Sequence, residues 1–502
     1  MQIKQLFFVC SIILSAVFGC SRKLERGYCE ANYANPNFLD REECCNEYPE
    51  DCQPPGGMCE TADDCGFASP HCRADGVCVQ CLKTAHCVTA ERPICDENSN
   101  ACVACRGHAD CDTQLCLSDG TCAAEDAVVY VSDMNASDAG PCSKEAPCQT
   151  LSQALTLITA QRKHIKIAGR ISTPMGTRID AKDVTIHGDP GTSSITCNAG
   201  TALDIGRAAI VSIYDLEIIG SMDKEAVKLS DAMKPQVSMT RVKVRAPSGN
   251  GITVSEGDLV LNDSDVYNCS GIGIDLAKGS LIVRESSDVF DNLQEGIRAA
   301  SGTTLEIRRS SIRGNRGVAG ISTTNAMMLT LDSSVVARNT GTNGGVSVMG
   351  GRFEIVNSII ARNTGDTSGG LFVNSTNGLV DFSTIANNNS DIAGNAGIGC
   401  VSTVIVSNSV LTGNNSTTPI SLSCMVTHSL TGTVPPALPG TGNMVGDPMF
   451  LNVLDPLDRE FFRIGMSSAA RGIANSTTPL NVDIDGQARD DGAKDMGADE
   501  YK

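Results

Sequence analysis

The stretch from residue 305 to residue 363 repeats one pattern three times, with 24 residues between successive copies. It reads LEIRRSSIRGN at 305–315, LTLDSSVVARN at 329–339 and FEIVNSIIARN at 353–363. In each copy apolar and polar residues alternate, a polar turn follows, and the copy ends on an asparagine. Alternation with a period of two is typical of a strand with one buried face. Each copy therefore predicts short strands separated by a turn.

A second landmark, a small residue followed by an apolar one, recurs at intervals of 22 to 27 residues. Coils of this length that hold short strands are typical of a parallel β-helix and not of helix-pair repeats. With about 4.8 Å per strand spacing, eight intervals predict a rod of roughly 38 Å. The sequence therefore predicts an all-β solenoid over residues 126–435. The small residues of the landmark are Ala202, Ala226, Gly251, Gly273, Gly296, Gly320, Gly345, Gly370 and Gly397.

Both repeated residue types have expected roles in turns. We expect the Asn to tolerate a positive φ in one turn and to stack on its equivalents along the rod. Asn268, Asn292 and Asn414 fit the same frame, with Asn387 or Asn388 between them. We expect the Gly to serve a second tight corner.

Composition narrows the classes of function. The chain has 502 residues and a formal charge of −19, which opposes binding to a phosphate backbone, so no nucleic-acid partner is expected. Trp is absent and aromatic residues make up 4%, which suits stacked layers of small and β-branched side chains. The 24 cysteines indicate an oxidising compartment or metal sites.

Residues 1–20 have the pattern of a signal peptide, with Lys4 before an apolar run from Leu6 to Phe18. The end of this run, Gly19-Cys20, resembles the lipobox of bacterial lipoproteins. That resemblance implies that Cys20 is the lipidated first residue of an exported chain, anchored in the cell envelope at the outer membrane. An ordinary signal peptide is the alternative. Later segments are not apolar enough to span a bilayer, so the lipid is the expected membrane attachment.

A Cys-containing linker, residues 21–58, leads to three four-Cys modules at 59–123. Modules this short cannot bury enough apolar area, so we expect two disulfides in each, with connectivity left open. Cys78, Cys81, Cys102 and Cys105 offer a four-thiolate zinc site as the alternative. The modules resemble those of surface lipoproteins of myxobacteria, which implies a spacer or an interaction module. Their cysteines are Cys59, Cys65, Cys72 and Cys78; Cys81, Cys87, Cys95 and Cys102; and Cys105, Cys111, Cys116 and Cys122.

One amphipathic helix is predicted before the coils. Thr150 can cap it, and Leu151, Ala154, Leu155 and Ile158 share one face, which suits a lid on the open end of the solenoid. Two disulfides are expected in this region and beyond, Cys142–Cys148 in the loop that leads in and Cys400–Cys424 one coil apart. Cys197 and Cys269 are about three coils apart and are expected to be buried thiols.

Residues 126–502 resemble the pectin-lyase-like superfamily, which implies a right-handed parallel β-helix preceded here by the disulfide-rich region. The tail motifs at 446–450, 483–489 and 495–500 resemble the choice-of-anchor Q group, and we expect residues 436–502 to form a C-terminal cap. Asp483, Asp485, Asp490 and Asp491 could hold Ca²⁺. A solvated cap that blocks the sheet edge is the preferred interpretation, so no metal or other cofactor is expected.

The catalytic signal is weak. Lyases of this fold resemble one another in using Ca²⁺-binding carboxylates with a basic residue, and hydrolases use clustered Asp with His-centred motifs that this chain lacks. Asp263, Asp265, Asp288 and Asp291 lie on neighbouring coils and could form a carboxylate cluster. The alternative function is therefore a lyase or hydrolase of an acidic polysaccharide.

Residues 296–365 hold eight Arg, no Lys and three acidic residues. Arg338 and Arg362 precede the repeated Asn and should stack one coil apart, with Arg313 nearby. Such a stripe could bind a polyanionic glycan through bidentate contacts. The leading hypothesis is a non-catalytic surface lipoprotein for adhesion or glycan binding. Its expected partners are a cell-surface or matrix polysaccharide or another envelope protein, and a purely structural envelope role is the third option.

Overall fold

A computed structural model describes residues 29, 44, 48, 59–66, 68–390, 394–416, 418–432, 440–475, 479–489 and 492–502. The chain divides into two compact units, Met1–Ala123 and Ala124–Lys502. The predicted signal peptide and Cys20 lie outside the described residues, as does most of the linker, of which Cys29 and Cys44 form a disulfide. In the described ranges, no helix is long and apolar enough to cross a bilayer.

Most of the described residues of unit 1 belong to the three disulfide modules. Its strands form two antiparallel pairs, β1 (His71–Cys72) with β2 (Cys78–Val79) and β3 (Ile94–Asp96) with β4 (Ala101–Val103). In every module the first cysteine bonds to the third and the second to the fourth, which leaves no thiolate for the zinc alternative. The pairs are Cys59–Cys72, Cys65–Cys78, Cys81–Cys95, Cys87–Cys102, Cys105–Cys116 and Cys111–Cys122.

Unit 2 is a parallel β-solenoid, which confirms the predicted fold. Each coil contributes strands to three faces, named A, B and C, and equivalent strands of successive coils pair in parallel. Face A is a 13-stranded sheet. Its strands are β7 (Arg170–Thr173), β10 (Ser194–Cys197), β13 (Glu217–Ile219), β16 (Lys243–Arg245), β19 (Asp265–Tyr267), β22 (Asp288–Phe290), β25 (Ser311–Arg313), β27 (Val335–Ala337), β30 (Ile359–Ala361), β34 (Thr384–Ala386), β38 (Val410–Thr412), β40 (Leu430–Thr431) and β41 (Met444–Val445).

Faces B and C belong to one larger sheet, because β26 (Ile321–Asp332) and β29 (Val346–Val356) run through both. The other strands of face B are β8 (Thr177–Asp180), β11 (Leu203–Gly206), β14 (Val227–Leu229), β17 (Ile252–Val254), β20 (Ile274–Leu276), β23 (Ile297–Ala299), β32 (Leu371–Asn374) and β36 (Ile398–Cys400). The other strands of face C are β5 (Val128–Ser132), β6 (His164–Ala168), β9 (Asp183–His187), β12 (Ile210–Tyr214), β15 (Gln236–Thr240), β18 (Gly257–Asn262), β21 (Gly279–Arg284), β24 (Thr304–Arg308), β33 (Asn377–Asp381), β37 (Val404–Ser407) and β39 (Cys424–Thr427). A small third sheet holds β28 (Thr340–Gly341), β31 (Thr364–Gly365) and β35 (Asn389–Ser390).

The repeated asparagines form a buried ladder after face A. The backbone N–H of Asn315 donates to Oδ1 of Asn339 at 2.9 Å, and Nδ2 of Asn339 donates to the Ile312 carbonyl at 2.9 Å. Of the asparagines that we predicted, Asn268 and Asn387 have the expected positive φ but stand one residue before the ladder position, and the ladder Asn themselves do not have it. The residue before each ladder Asn has the positive φ instead, as at Asn387 (φ 52°) before Asn388. The chain turns at that residue, and the amide side chain of the next residue then points inward. The ladder consists of Asn292, Asn315, Asn339, Asn363, Asn388 and Asn414.

The repeated glycines face this ladder and stand directly before the strands of face B. Gly273, Gly296 and Gly320 do not have a positive φ. A Cβ on Gly296 would lie 2.7 Å from Nδ2 of Asn315, and one on Gly320 would lie 2.6 Å from Cγ of Asn339. Glycine is needed here because the Asn side chain occupies the space of a Cβ.

A serine ladder at the turn from face C to face A was not predicted. The backbone N–H of Ser310 donates to Oγ of Ser334 at 3.3 Å, and Ser334 repeats this contact with Ser358 at 3.2 Å. The residue before each Ser takes a positive φ, as at Arg309 and Ser333. The ladder satisfies turn amides that the coil buries.

The predicted helix is α1 (Leu151–Thr156), whose cap Thr150 accepts a hydrogen bond from the Gln153 N–H at 3.2 Å. Its buried residues Leu151, Ala154 and Leu155 close one end of the core. Disulfides join Cys142 to Cys148 and Cys400 to Cys424, and Cys197 and Cys269 are buried and unpaired.

The C-terminal segment, residues 440–502, begins at the end of the solenoid, where β41 adds the last strand of face A, but the rest of it does not lie over that end, where we expected a cap. It packs on the outward side of face A, where Phe461, Phe462 and Ile484 contact Ala337 and Ile359 of the sheet. The Ala498 N–H donates to Oγ1 of Thr384 at 3.2 Å, and the Gly497 N–H donates to the Asn408 carbonyl at 2.7 Å. The segment binds there because β27, β30 and β38 present apolar residues outward as well as inward.

Candidate functional site

Face A has a covered stretch and an open stretch. In the covered stretch, β27, β30, β34, β38 and β40, the C-terminal segment buries outward residues such as Ile359 and Ala361 completely. In the open stretch, β13, β16, β19, β22 and β25, the middle residue of each strand is buried and its two neighbours point outward. The polar and aromatic outward residues of the open stretch are Glu217, Lys243, Arg245, Asp265, Tyr267, Asp288, Phe290, Ser311 and Arg313.

Register sets Asp265 directly beside Asp288 on adjacent strands. A basic residue pairs with each carboxylate. Lys243 Nζ lies 3.6 Å from Oδ2 of Asp265, and Arg313 donates through Nε to Oδ2 of Asp288 at 2.9 Å. Burial raises the pKa of Asp265 above its usual range. Burial also raises the pKa of Asp288 to about 6, against the opposing effect of Arg313, because its side chain is only 13% exposed.

The third residue of β19 and of β22, which also points outward, is aromatic, and the two rings stack. The rings of Tyr267 and Phe290 are nearly parallel, with centroids 5.1 Å apart, and the Arg313 guanidinium lies 4.2 Å from the Phe290 centroid. The Tyr267 hydroxyl donates to Oε1 of Glu217 at 3.2 Å, and Nε of Arg245 donates to the same oxygen at 2.9 Å. The stack therefore fixes the positions of charged groups along the rod axis and does not offer a ring face outward.

The predicted carboxylate cluster comes together only in part. Asp265 and Asp288 are neighbours, as described. Asp263 lies in the turn before β19 and Asp291 in the turn after β22, at opposite ends of the strands, and both have a positive φ. The side chains of these two residues therefore belong to turns and not to the open stretch.

The predicted arginine stripe is divided between two roles. Arg338 donates to the Leu454 carbonyl, and Arg362 donates to the Val453 carbonyl at 2.7 Å, so both hold the C-terminal segment. Arg313 lies on β25 in register with Ala337, and the turn position equivalent to Arg338 is Gly314. Of the three predicted arginines, the structure places Arg313 alone in the open stretch.

The acidic residues of the tail form a structural cluster. Oδ1 of Asp483, which is fully buried, accepts hydrogen bonds from the Asp485 and Gln487 N–H groups at 2.9 and 2.7 Å. Arg463 forms two hydrogen bonds of 2.9 Å with Asp485 and lies 3.6 Å from Asp499. One carboxylate oxygen from each of Asp483, Asp485 and Asp499 lies within 4.8 Å of the others, so this trio could hold a metal ion, and Arg463 offsets one of its three negative charges. The burial of Asp483 contradicts the preferred interpretation of a solvated edge-blocking cap, and Asp490 and Asp491 lie outside the described residues.

Sequence reasoning missed Lys243, Arg245, Tyr267 and Phe290 as partners of the two carboxylates. The signal was present in the strand triplets Lys243–Arg245, Asp265–Tyr267, Asp288–Phe290 and Ser311–Arg313, which recur every 22 or 23 residues. Aligning these triplets on their buried middle residue would have stacked the outward residues in the observed rows.

Comparison with known proteins supports the winding of the solenoid. Residues 201–352 match a sequence family described as a right-handed β-helix region, and this range includes the whole open stretch. Among proteins of curated function, none matches the chain.

Several solved structures resemble this chain at low sequence identity. Pectate lyase Pel9A is 15% identical with a TM-score of 0.42, and the match covers 75% of this chain and 96% of that one. The A-module of mannuronan C-5 epimerase AlgE6 from Azotobacter vinelandii is 15% identical with a TM-score of 0.37, covering 59% and 94%. The pectin methylesterase from Aspergillus niger is 13% identical with a TM-score of 0.25, covering 64% and 86%.

Proposed function

We propose that this protein is an exported binding protein that holds an acidic polysaccharide on the open stretch of face A. One observation carries the proposal: basic residues and half-buried carboxylates form a series of ion pairs along the uncovered strands of this face. Lys243 and Asp265, Arg313 and Asp288, and Arg245 and Glu217 form three ion pairs along the rod axis.

This arrangement suits a ligand that carries both carboxylates and hydroxyl groups. Lys243 is 61% exposed and has N–H donors to spare for a sugar carboxylate. Arg313 uses Nε and Nη2 on one oxygen of Asp288, and Nη1 has no hydrogen-bond partner among the described residues. The protein carboxylates can accept hydrogen bonds from sugar hydroxyls. A polymer that carries negative charge and no hydroxyl groups would bind Lys243 and Arg313 but would be repelled by the protein carboxylates.

Turnover of the glycan is the second candidate. The pKa of Asp288, about 6, suits proton transfer, since a group that titrates near neutral pH can act as acid or base, and burial also raises the pKa of the neighbouring Asp265. Lys243 beside Asp265 could stabilise negative charge that develops on a sugar. Binding remains the leading proposal because the ion pairs account for these charged groups without a reaction.

The test is a panel of polygalacturonate, alginate and hyaluronan, assayed for binding and for chain cleavage. Removing two charge-assisted contacts in Lys243→Ala/Arg313→Ala should weaken binding at least about tenfold. The control is Lys278→Ala/Arg298→Ala, which removes the same residue types from ion pairs with Glu256 and Asp275 on another face. Binding that both double variants weaken equally, or no binding at all, contradicts the proposal. Cleavage that Asp288→Asn abolishes would establish the second candidate.

We also propose that the chain is exported and anchored through lipid on Cys20, with unit 1 as a spacer or an interaction module between anchor and solenoid. The nine disulfides among the described residues support an oxidising compartment. Mass spectrometry of the mature N-terminus tests the anchor. A diacylglyceryl group on Cys20 that is lost in Cys20→Ser supports it, and an unmodified N-terminus contradicts it.

A further inference from the structure

The open stretch is bounded at one end by the C-terminal segment. Val335, the next residue in register after Ser311, packs against the buried cluster under this segment, as do Phe450 and Val453 of the segment itself. Arg338, which follows Ala337 on the same coil, holds the Leu454 carbonyl. The segment therefore stands on the outward side of the sheet within one strand spacing, about 4.8 Å, of Arg313 and Ser311.

The opposite end has no such boundary in the described part of unit 2. The outward residues Arg170 and Ser172 of β7 are exposed, whereas on β10 Thr196 is half-buried and Ser194 is buried. The hydrogen bonds that the C-terminal segment forms with the coils lie at Arg338 and beyond, so this segment does not obstruct the surface past Glu217. A ligand that lies along the rod axis can extend in this direction and not in the other.

The most buried ion pair of the open stretch lies at its closed end. The ion pair of Arg313 and Asp288 is the most buried of the three, with side chains 18% and 13% exposed, whereas Lys243 is 61% exposed. Buried charge-assisted contacts contribute more to binding than exposed ones, because water screens them less. The strongest contacts therefore lie where a bound chain has to stop.

We propose that the open stretch receives the end of an acidic sugar chain, with the terminal sugar beside Arg313 and Asp288 and the rest of the chain leading toward β13 and β7. This inference rests on the proposed function, since it specifies which part of the polysaccharide is bound. The site selects a chain terminus because an internal segment would have to pass through residues 450–457.

The number of protein molecules bound per chain distinguishes the two modes. Polygalacturonate and alginate, each prepared as short, intermediate and long fractions, are titrated with the full-length protein by calorimetry, with sedimentation as a second measurement. We expect one protein per chain at every length, because each chain has one terminus of the matching polarity. A ratio that rises in proportion to chain length overturns the inference.

Two variants separate the failure of this inference from that of the proposed function. Lys243→Ala/Arg313→Ala should abolish the titration in every fraction; if binding survives, or if neither polymer binds, the proposed site fails and this inference fails with it. Thr196→Trp should weaken binding of the long fraction several-fold and leave the shortest fraction unchanged, because it obstructs only the exit path. Equal weakening of all fractions by Thr196→Trp contradicts a closed end beside Arg313.

Discussion

At the residue scale, the asparagine ladder illustrates how one side chain can stabilise three coils. Oδ1 of Asn339 accepts hydrogen bonds from both the backbone N–H and Nδ2 of Asn315, and its Nδ2 donates to the Ile312 carbonyl and to Oδ1 of Asn363. All of these groups are buried, so none can exchange its partner for water.

Asn339→Ala should therefore lower the free energy of unfolding by about 2–4 kcal/mol, because it leaves buried donors and an acceptor unpaired. Thermal unfolding followed by circular dichroism measures the effect. The matched control is Asn374→Ala, an exposed position at the end of β32, which should change the midpoint little. Equal shifts for the two variants would show that the ladder does not stabilise the coil.

Asp288 should make stability depend on pH in a defined direction. Its pKa in the folded protein is about 6, above the ordinary value of 3.8, so folding favours the protonated form. This contribution is fully present below the ordinary pKa and is lost as the pH rises through about 6. Asp288→Asn should reduce the fall in melting temperature between mildly acidic and neutral pH. Part of the fall should remain, because burial also raises the pKa of Asp499 to about 6. An unchanged pH profile in the variant contradicts the assignment.

At the element scale, the C-terminal segment depends on one buried arginine. Arg489 donates through Nη1 to Glu500 at 3.0 Å and through Nη2 to Asn357 Oδ1 and the Gly497 carbonyl at 3.1 and 2.9 Å. Its guanidinium also lies 4.4 Å from the Phe382 ring centroid. The residue therefore joins the segment to two coils of the solenoid.

Arg489→Ala should destabilise the docked segment by about 3–5 kcal/mol, because Glu500 would be left buried without its partner. Limited proteolysis should then cut within residues 440–502 before it cuts the coils. Arg471→Ala is the control in the same segment, since Arg471 is exposed and bonds to the Met466 carbonyl. Cleavage at the wild-type rate would contradict the role of Arg489.

The sequence of the covered strands already indicates that something lies over them. Val335–Ala337 and Ile359–Ala361 are apolar at all three positions, which is typical of strands buried on both faces, whereas Asp265–Tyr267 alternates. That difference could have located the covered stretch from the sequence alone. It could not have identified the segment that covers it, because the segment has no repeat to align with the coils.

At the scale of the whole molecule, the two units depend on different interactions. The buried residues described in unit 1 are mostly cysteines, and unit 2 has a continuous aliphatic core. Reduction under native conditions should therefore expose residues 59–123 to protease while the β-sheet circular dichroism of unit 2 persists. A protein alkylated without reduction is the control. Loss of the β-sheet signal on reduction would show that the disulfides Cys142–Cys148 and Cys400–Cys424 are essential to the solenoid.

The sequence by itself determined the solenoid, the terminal helix and the asparagine ladder. It could do so because every coil contacts the next at a nearly constant separation of 22 to 27 residues, so the spatial contacts appear as periodicity. The same register sets Asp265 beside Asp288. The Asn and Gly landmarks did not reveal this pair, because they lie in the turns and not in the strand triplets of face A.

Only the tertiary structure decided what the arginines do and where the site ends. The contacts of Arg338, Arg362 and Asn357 with the C-terminal segment span 116, 91 and 132 residues in sequence. Such contacts belong to no repeat, and a residue's position in a coil does not reveal which segment will cover it. The division of face A into a covered and an open stretch therefore depends on how the last residues of the chain fold back, because that packing alone excludes water from one part of the sheet and leaves the other exposed.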